Sequence, residues 1–380
     1  MLVKLKDVCK IKPGYAFNSN DFGHGAAKCI KITNISFSIQ ETELINVEEN
    51  DKLKDFIVND GDIIMSMTSA TQIGKIGRLR KHTHTIYLNQ RLCKFEADET
   101  KINKDYLFFV LSQNNFNKFI HSSADSKSLQ QNISHYTIGE FTFELPNLKI
   151  QNKIAEILSN IDNQIERNNT MVKRLQDLIL TKYSIDFEQK MIVNGCVKDI
   201  CKLPSGFSFK PEMYIDDGKY NLVTIKNVND IFVDTSKTDK LEILPKTMKD
   251  FCKLTKGDVL MSLTGNVGRI SIVVEDNNLL NQRVSLFDCK EEYKTYIYAL
   301  LNSQKYQIIM QKMTRGTSQK NLSPIDVEDL QIYIPNDIKE FSNVTTPIFN
   351  EMVNIQKQTN ELNNLKQQLL PLLINGQIII

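Results

Sequence analysis

The chain has 380 residues, 47 basic against 45 acidic side chains, a formal net charge of +2 and 41% hydrophobic residues. This is the composition of a soluble globular protein of two or three domains, each large enough to bury a core without disulfide staples. No apolar run approaches the roughly 18 residues of a membrane span, and the MLVKLKDVCK start lacks the apolar stretch of a secretory signal, so a cytoplasmic protein with no membrane partner is expected. The cysteines Cys9, Cys29, Cys93, Cys196, Cys201, Cys252 and Cys289 contain no C-x-x-C pair, which argues against a zinc site and for reduced thiols used as small hydrophobes.

The first segment, LKDVCKIKPGYAF at Leu5 to Phe17, returns as VKDICKLPSGFSF at Val197 to Phe209. Further matches keep the same order. IKITNI from Ile30 pairs with VTIKNV from Val223, GDIIMSMT from Gly61 with GDVLMSLT from Gly257, and LNQR at Leu88 to Arg91 with LNQR at Leu280 to Arg283. QQNIS ending at Ser134 matches QKNLS ending at Ser323, and ELP ending at Pro146 matches YIP ending at Pro335. The chain is therefore a tandem duplication. Within the first copy, Cys29 to Ile35, Asp62 to Met67 and Thr142 to Leu145 have the pattern of short strands, while Tyr106 to Phe119, and Tyr296 to Met310 in the second copy, have helical spacing. Each copy begins as an α+β unit.

A different pattern follows each unit. Apolar residues fall at Ile154, Leu158, Ile161, Ile165, Val172, Leu175 and Ile179, steps of four and three interrupted at Asn168, where a polar residue in the seam fixes register. The second copy has Ile348, Met352, Ile355, Thr359, Leu362, Leu365, Leu369 and Leu372, with a phase slip near Leu365. A helix from about residue 150 to 185 would reach roughly 50 Å. The expected fold is α+β, with two pseudo-symmetric globular domains separated by two long antiparallel helices forming a coiled coil. The expected boundaries are 1–148 and 191–336 for the globular domains, and 149–190 and 337–380 for the helices. The competing arrangement packs each helix on its own domain.

Catalytic devices are missing from the sequence. There is no phosphate-binding G-x-x-x-x-G-K-[ST] loop, no G-x-G-x-x-G, no H-E-x-x-H and no G-x-S-x-G. His24, His82, His84, His121 and His135 have no ligand-like spacing, and the adenine-methyltransferase signature of Asn or Asp, two prolines and an aromatic is lacking. No catalytic, cofactor-binding or metal residue is expected in this chain, which is read as non-enzymatic by itself.

Charge is concentrated in polar segments of the repeat. Lys75, Arg78, Arg80, Lys81, Arg91 and Lys94 lie in a stretch with no acidic residue, and Lys305, Lys312, Arg315 and Lys320 lie in another. Such fields suit phosphate contact, and Arg, Asn and Gln can read base edges. The two LNQR segments could equally anchor backbone inside the fold, because a donor-rich tripeptide is costly to bury unsatisfied. A third polar segment, SADSKSLQQN at Ser123 to Asn132, diverges from its counterpart TRGTSQKN at Thr314 to Asn321, as two different recognition specificities would require. The candidate DNA-binding residues are Lys75, Arg78, Arg80, Asn89, Gln90, Arg91, Lys127, Gln130 and Gln131 in the first copy. In the second they are Arg269, Asn281, Gln282, Arg283, Arg315, Ser318, Gln319 and Lys320.

These residues resemble the specificity subunit of type I restriction-modification systems. The resemblance covers essentially the whole chain: the duplicated L-x-D-[VI] opening with a following glycine (Leu5, Asp7, Val8, Gly14; Val197, Asp199, Ile200, Gly206), G-D-[IV]-[IL] at Gly61 and Gly257, the N-Q pair, and P-x-L-x-x-Q-x-x-I leading into a long helix (Pro146, Leu148, Gln151, Ile154). The resemblance implies two target recognition domains, each reading one half of a bipartite double-stranded DNA target. The helices would act as a ruler for the spacer and as the docking surface for two methyltransferase subunits. It further implies restriction subunits, with S-adenosylmethionine, ATP and magnesium held by the partners and no cofactor in this chain. A recognition subunit of a related phage-defence modification system, and a coiled-coil protein-interaction scaffold, are the alternative readings.

Overall fold

The computed structural model describes residues 1–69, 71–125, 131–188, 190, 192–315 and 320–378. The chain divides into two compact units, one of Met1–Asn163 with Asn364–Ile380 and one of Gln164–Asn363.

In the first unit, among the described residues, a five-stranded sheet runs in the order Cys9–Pro13, Leu92–Ala97, Ile63–Ser66, Ile76–Leu79 and Ser38–Ile39. A three-stranded sheet has Phe22–Ile30 between Ile45–Val47 and Ile86–Leu88, and Leu2–Lys4 pairs with Thr142–Glu144. The expected strands are present, with Cys29–Ile35 shifted: the strand ends at Ile30, and Ile32–Asn34 forms a 3-10 turn. The helical stretch expected over Tyr106 to Phe119 is two helices, Lys104–Leu111 and Asn114–Ser123. Ser112 ends the first of them by turning its hydroxyl onto the Phe108 carbonyl. The core joins Phe95, Phe108, Phe109 and Phe116 with Ile154 and Leu158 of the following helix.

The second unit repeats these parts. Val259–Ser262 lies between Ile270–Ile272 and Val284–Leu286, while Tyr220–Val223 pairs with Lys240–Leu241 and Asn278–Leu280. Glu291–Asn302 and Gln304–Met313 again divide one expected helix into two, at Ser303. Glycine has the same task in both copies. A Cβ at Gly14 would stand 2.3 Å from the carbonyl oxygens of Leu88 and Asn89, and one at Gly206 would stand 2.2 Å from that of Leu280. Any side chain would push the LNQR segment off the opening strand.

The long helices are Leu148–Tyr183 and Lys339–Ile374, 36 residues each. Gln151 explains the motif before the first: its side chain accepts from the Asn103 amide at 2.8 Å and donates to the carbonyls of Lys101 and Pro146, fastening the first turn to the globular part. The second helix lacks that glutamine. Thr345 and Thr295, both buried, share a 2.7 Å hydroxyl contact there instead.

Within the second unit the two helical segments are antiparallel. Asn168 meets Thr359, and near the other end the Phe187 ring lies 5.3 Å from that of Phe341. Within the first unit Asp162 pairs with Lys366, while Ile154 shares a cavity with Leu373 and Ile374. The apolar stripes face the globular cores as well as each other: Val172, Ile179 and Tyr183 belong to one cluster with Tyr296, Tyr298 and Met352. Along the first helix, Ile154 and Leu158 pack on the core of the globular domain before it, whereas Val172, Ile179 and Tyr183 pack on that of the second. Leu365 is 43% exposed and Lys366 takes the inward position, so the phase slip puts a charge into the seam.

Candidate nucleic-acid interface

Three polar segments that are far apart in the first copy meet at one place. The connection after Ile63–Ser66 is held to the LNQR turn by the Met67 amide, which donates to the Arg91 carbonyl at 2.9 Å. It is held to the third segment by Ile133 N to Met67 O at 3.0 Å and Ser69 N to Gln131 O at 3.1 Å. Gln90 is held in turn by its amide, which donates to the Tyr15 carbonyl at 2.8 Å. The Gln90 and Arg91 side chains are exposed. Together with Lys31, Phe17 and Phe22 they line a cleft of about 370 Å³.

The second unit repeats three of these bonds. Leu263 N donates to Arg283 O at 3.0 Å, Leu322 N to Leu263 O at 2.8 Å, and Gln282 N to Phe207 O at 3.1 Å. Gln282, Arg283, Arg315 and Lys320 are exposed, and Arg315 makes a 2.9 Å ion pair with Asp326. Arg269 is half-buried beside Asp230 at 3.1 Å, on a polar cleft of about 320 Å³ that Gln307 and Gln311 also line. Exposed cations and amides on a backbone pinned from three sides can hold phosphate and present donors to base edges with little loss of freedom on binding.

Several of the expected contact residues have other surroundings. Asn89 is 7% exposed, and its side-chain oxygen accepts from the Arg91 amide at 3.2 Å; Asn281 does the same for Arg283 at 3.4 Å. In each LNQR the asparagine shapes the turn, and the glutamine and arginine face outward. Arg78, one of the expected contact residues, is 5% exposed. Its guanidinium bonds Asp105 at 2.8 Å and lies 3.8 Å from the Phe108 ring centroid, and burial lowers its pKa to about 10. Arg80 is half-buried and donates to the Asn163 side chain at 3.1 Å, which turns it toward the long helix. Lys94, from the same basic stretch, is buried with its ammonium on the Ile57 carbonyl at 2.8 Å. Lys75 is exposed and Gln131 half-buried. Lys127, Gln130, Ser318 and Gln319 lie outside the described residues.

The sequence reading passed over one pair. The hydroxyls of Thr68 and Thr264, at matching positions in the meeting place, are buried with no hydrogen-bond partner among the described residues, and Thr68 and Thr264 bridge to Asn132 and Asn321. Their signal was the repeated M-S-x-T after each G-D. Next to Thr68, Ser69 has φ 117° where the second copy has Gly265 at φ 74°, a left-handed conformation that costs a serine but not a glycine. Among the described residues no group of three His, Cys, Asp or Glu side chains could hold a metal ion, and no helix is long and apolar enough to cross a membrane.

A duplicated α+β unit with the same polar surface built twice defines a protein with two recognition heads. The model of the type I restriction modification DNA specificity domain matches the chain twice, over residues 1–176 and 190–370, and the chain belongs to that family. It is similar to the specificity subunit of the type I restriction enzyme EcoBI of Escherichia coli, 25% identical over 333 residues that span 77% of this chain and 69% of the relative. It is also similar to the specificity subunit of the type I restriction enzyme MjaVIII of Methanocaldococcus jannaschii, 30% identical over 198 residues, 51% of this chain and 44% of the relative. The fold matches the crystal structure of the type I restriction-modification S subunit from M. genitalium with a TM-score of 0.59 at 14% identity, over 98% of this chain and 96% of the other.

Proposed function

We propose that this chain is the DNA specificity subunit of a type I restriction-modification complex, each unit reading one half of a bipartite double-stranded target. The observation that carries this reading is the twofold recurrence of the three-segment surface, with Gln90 and Arg91 in one unit matched by Gln282 and Arg283 in the other. The segments that diverge between the copies supply different half-site preferences on a shared scaffold. Residues 1–148 and 191–336 act as the recognition domains, and 149–190 and 337–380 as the helices that set the spacer and dock two methyltransferase subunits. The base and phosphate contacts come from Lys75, Gln90, Arg91, Gln131, Arg269, Gln282, Arg283, Arg315 and Lys320. The chain carries out no chemistry itself. S-adenosylmethionine, and for restriction ATP and magnesium, belong to the methyltransferase and restriction partners, and the complex works in the cytoplasm on DNA.

The test is genome-wide adenine-methylation mapping in a methylation-free host that expresses this chain with its neighbouring methyltransferase gene. A new bipartite motif that disappears without this chain supports the reading. A soluble, associated complex that leaves no motif favours a protein-interaction scaffold.

A further inference from the structure

We infer that Cys201 and Cys289 are a redox modification site, closing to a cross-strand disulfide when the protein meets hydrogen peroxide. Strand Cys201–Lys202 runs antiparallel to Asp288–Cys289, with Cys201 directly opposite Cys289. The ladder continues past these strands, where Leu286 N donates to Pro204 O at 3.0 Å and Gly206 N to Val284 O at 3.1 Å. Pairs 204/286 and 206/284 are therefore the hydrogen-bonded ones. Opposed residues alternate between bonded and non-bonded positions, so 205/285 and 201/289 fall at the non-bonded positions, where Cα atoms stand about 4.5 Å apart and side chains approach most closely. The 205/285 pair shows that closeness directly, since its serine hydroxyls are 3.4 Å apart. About 4.5 Å lies within the Cα separation that a disulfide spans.

The chemistry of the two thiols differs. The Cys201 thiol donates to the Lys202 carbonyl at 3.4 Å. The Cys289 sulfur opposite it raises the Cys201 pKa, while Cys201 and the Lys294 ammonium lower that of Cys289. Cys289 is half-buried and Cys201 buried. Cys289 thus supplies the thiolate that attacks peroxide: its sulfur bonds one oxygen, the O–O bond breaks, and the departing hydroxide takes a proton to become water. Cys201 then attacks the Cys289 sulfenic sulfur, the S–O bond breaks, and the Cys201 proton leaves with the second hydroxide as water. The two thiols lose two electrons and one peroxide becomes two waters.

The first unit has no counterpart, because at the same register Cys9 lies opposite Ala97. The linkage would act on the second unit alone. It would close the chain from Cys201 to Cys289 and tie the base of the ladder that leads to Phe207, whose carbonyl accepts from the Gln282 amide.

The test uses the full-length protein, treated with hydrogen peroxide, alkylated, digested and read by mass spectrometry, with thermal unfolding of the same samples. The expected result is a Cys201–Cys289 linked peptide that dithiothreitol releases, with Tm raised by roughly 5 °C. In Cys289→Ala, which gives the position the side chain tolerated at Ala97, both linkage and rise are lost. Recovery of Cys201 and Cys289 unlinked after oxidation, linkage of either to another cysteine, or a Tm rise that persists in Cys289→Ala overturns the inference. None of these readouts depends on DNA recognition, so this inference and the proposed function fail separately.

Discussion

The Asn168 side-chain amide donates to the Thr359 hydroxyl at 3.1 Å, joining the two long helices at the polar step of each apolar stripe. Both residues are buried, at 7% and 2% exposure, and both are satisfied. Gln164 donates to the Asn168 oxygen at 2.8 Å, and Thr359 donates to the Ile355 carbonyl at 2.8 Å. A buried amide that pairs correctly in one register is left unpaired in every other, so this contact disfavours slipped helix pairings at some cost in stability.

The pair predicts unequal single and double variants. Asn168→Ala takes its donor from the buried Thr359 hydroxyl and opens a small cavity, so it should lower stability by about 1 to 2 kcal/mol. Asn168→Leu combined with Thr359→Val removes both polar partners and should be neutral or stabilising by about 1 kcal/mol. Urea denaturation of the singles and the double closes the cycle, and a double variant as weak as Asn168→Ala would contradict a register role.

In the first unit the step is ionic. Lys366 pairs with Asp162, whose side chain is 4% exposed, and the Lys366 ammonium lies 4.0 Å from the Phe37 ring centroid. Burial raises the Asp162 pKa and lowers that of Lys366, so each ion is held in place by the other. Asp162→Ala leaves a buried lysine without its acid and should cost about 3 to 5 kcal/mol, whereas Asp162→Leu with Lys366→Met should restore most of the loss. Thermal unfolding of the three variants checks this, and a harmless Asp162→Ala would show the pair to be solvated.

The duplication, the two long helices, the polar step at Asn168 and the slip near Leu365 were legible because each is a pattern along the chain. The division of each shorter helical stretch was not. Apolar spacing continues across Ser112 and Ser303, and the break comes from those residues turning onto the preceding carbonyls of Phe108 and Leu300. Nor could a basic stretch say which of its cations face solvent. Arg78 and Arg91 are separated by a strand and a turn, yet Asp105 and Phe108, far along the chain, bury one and leave the other exposed.

That contrast is testable. Arg78→Ala removes a buried cation from Asp105 and its packing on Phe108, and should lower the stability of the first unit by about 3 kcal/mol. Arg91→Ala should leave stability within about 0.5 kcal/mol and cost about 1 to 3 kcal/mol of discrimination at one half-site. Paired measurements of Tm and of DNA binding to targets altered in one half separate the two. An Arg91→Ala protein that loses both halves equally would argue against two independent heads.

The second unit supplies the mirror experiment. Arg315 and Lys320 are exposed on the segment that differs most between the copies, and Arg283 lies on the segment that differs least. Arg315→Ala with Lys320→Ala should relax the half-site opposite to the one that Arg91 affects. Arg283→Ala should weaken binding and reduce its salt dependence by about one phosphate contact. Methylation mapping reads the first effect as a degenerate half-motif beside an intact one, and binding titrated against salt reads the second. Loss of the same half-site from Arg91→Ala and from the Arg315 and Lys320 double variant would mean that both units face one stretch of DNA, and the bipartite reading would fall.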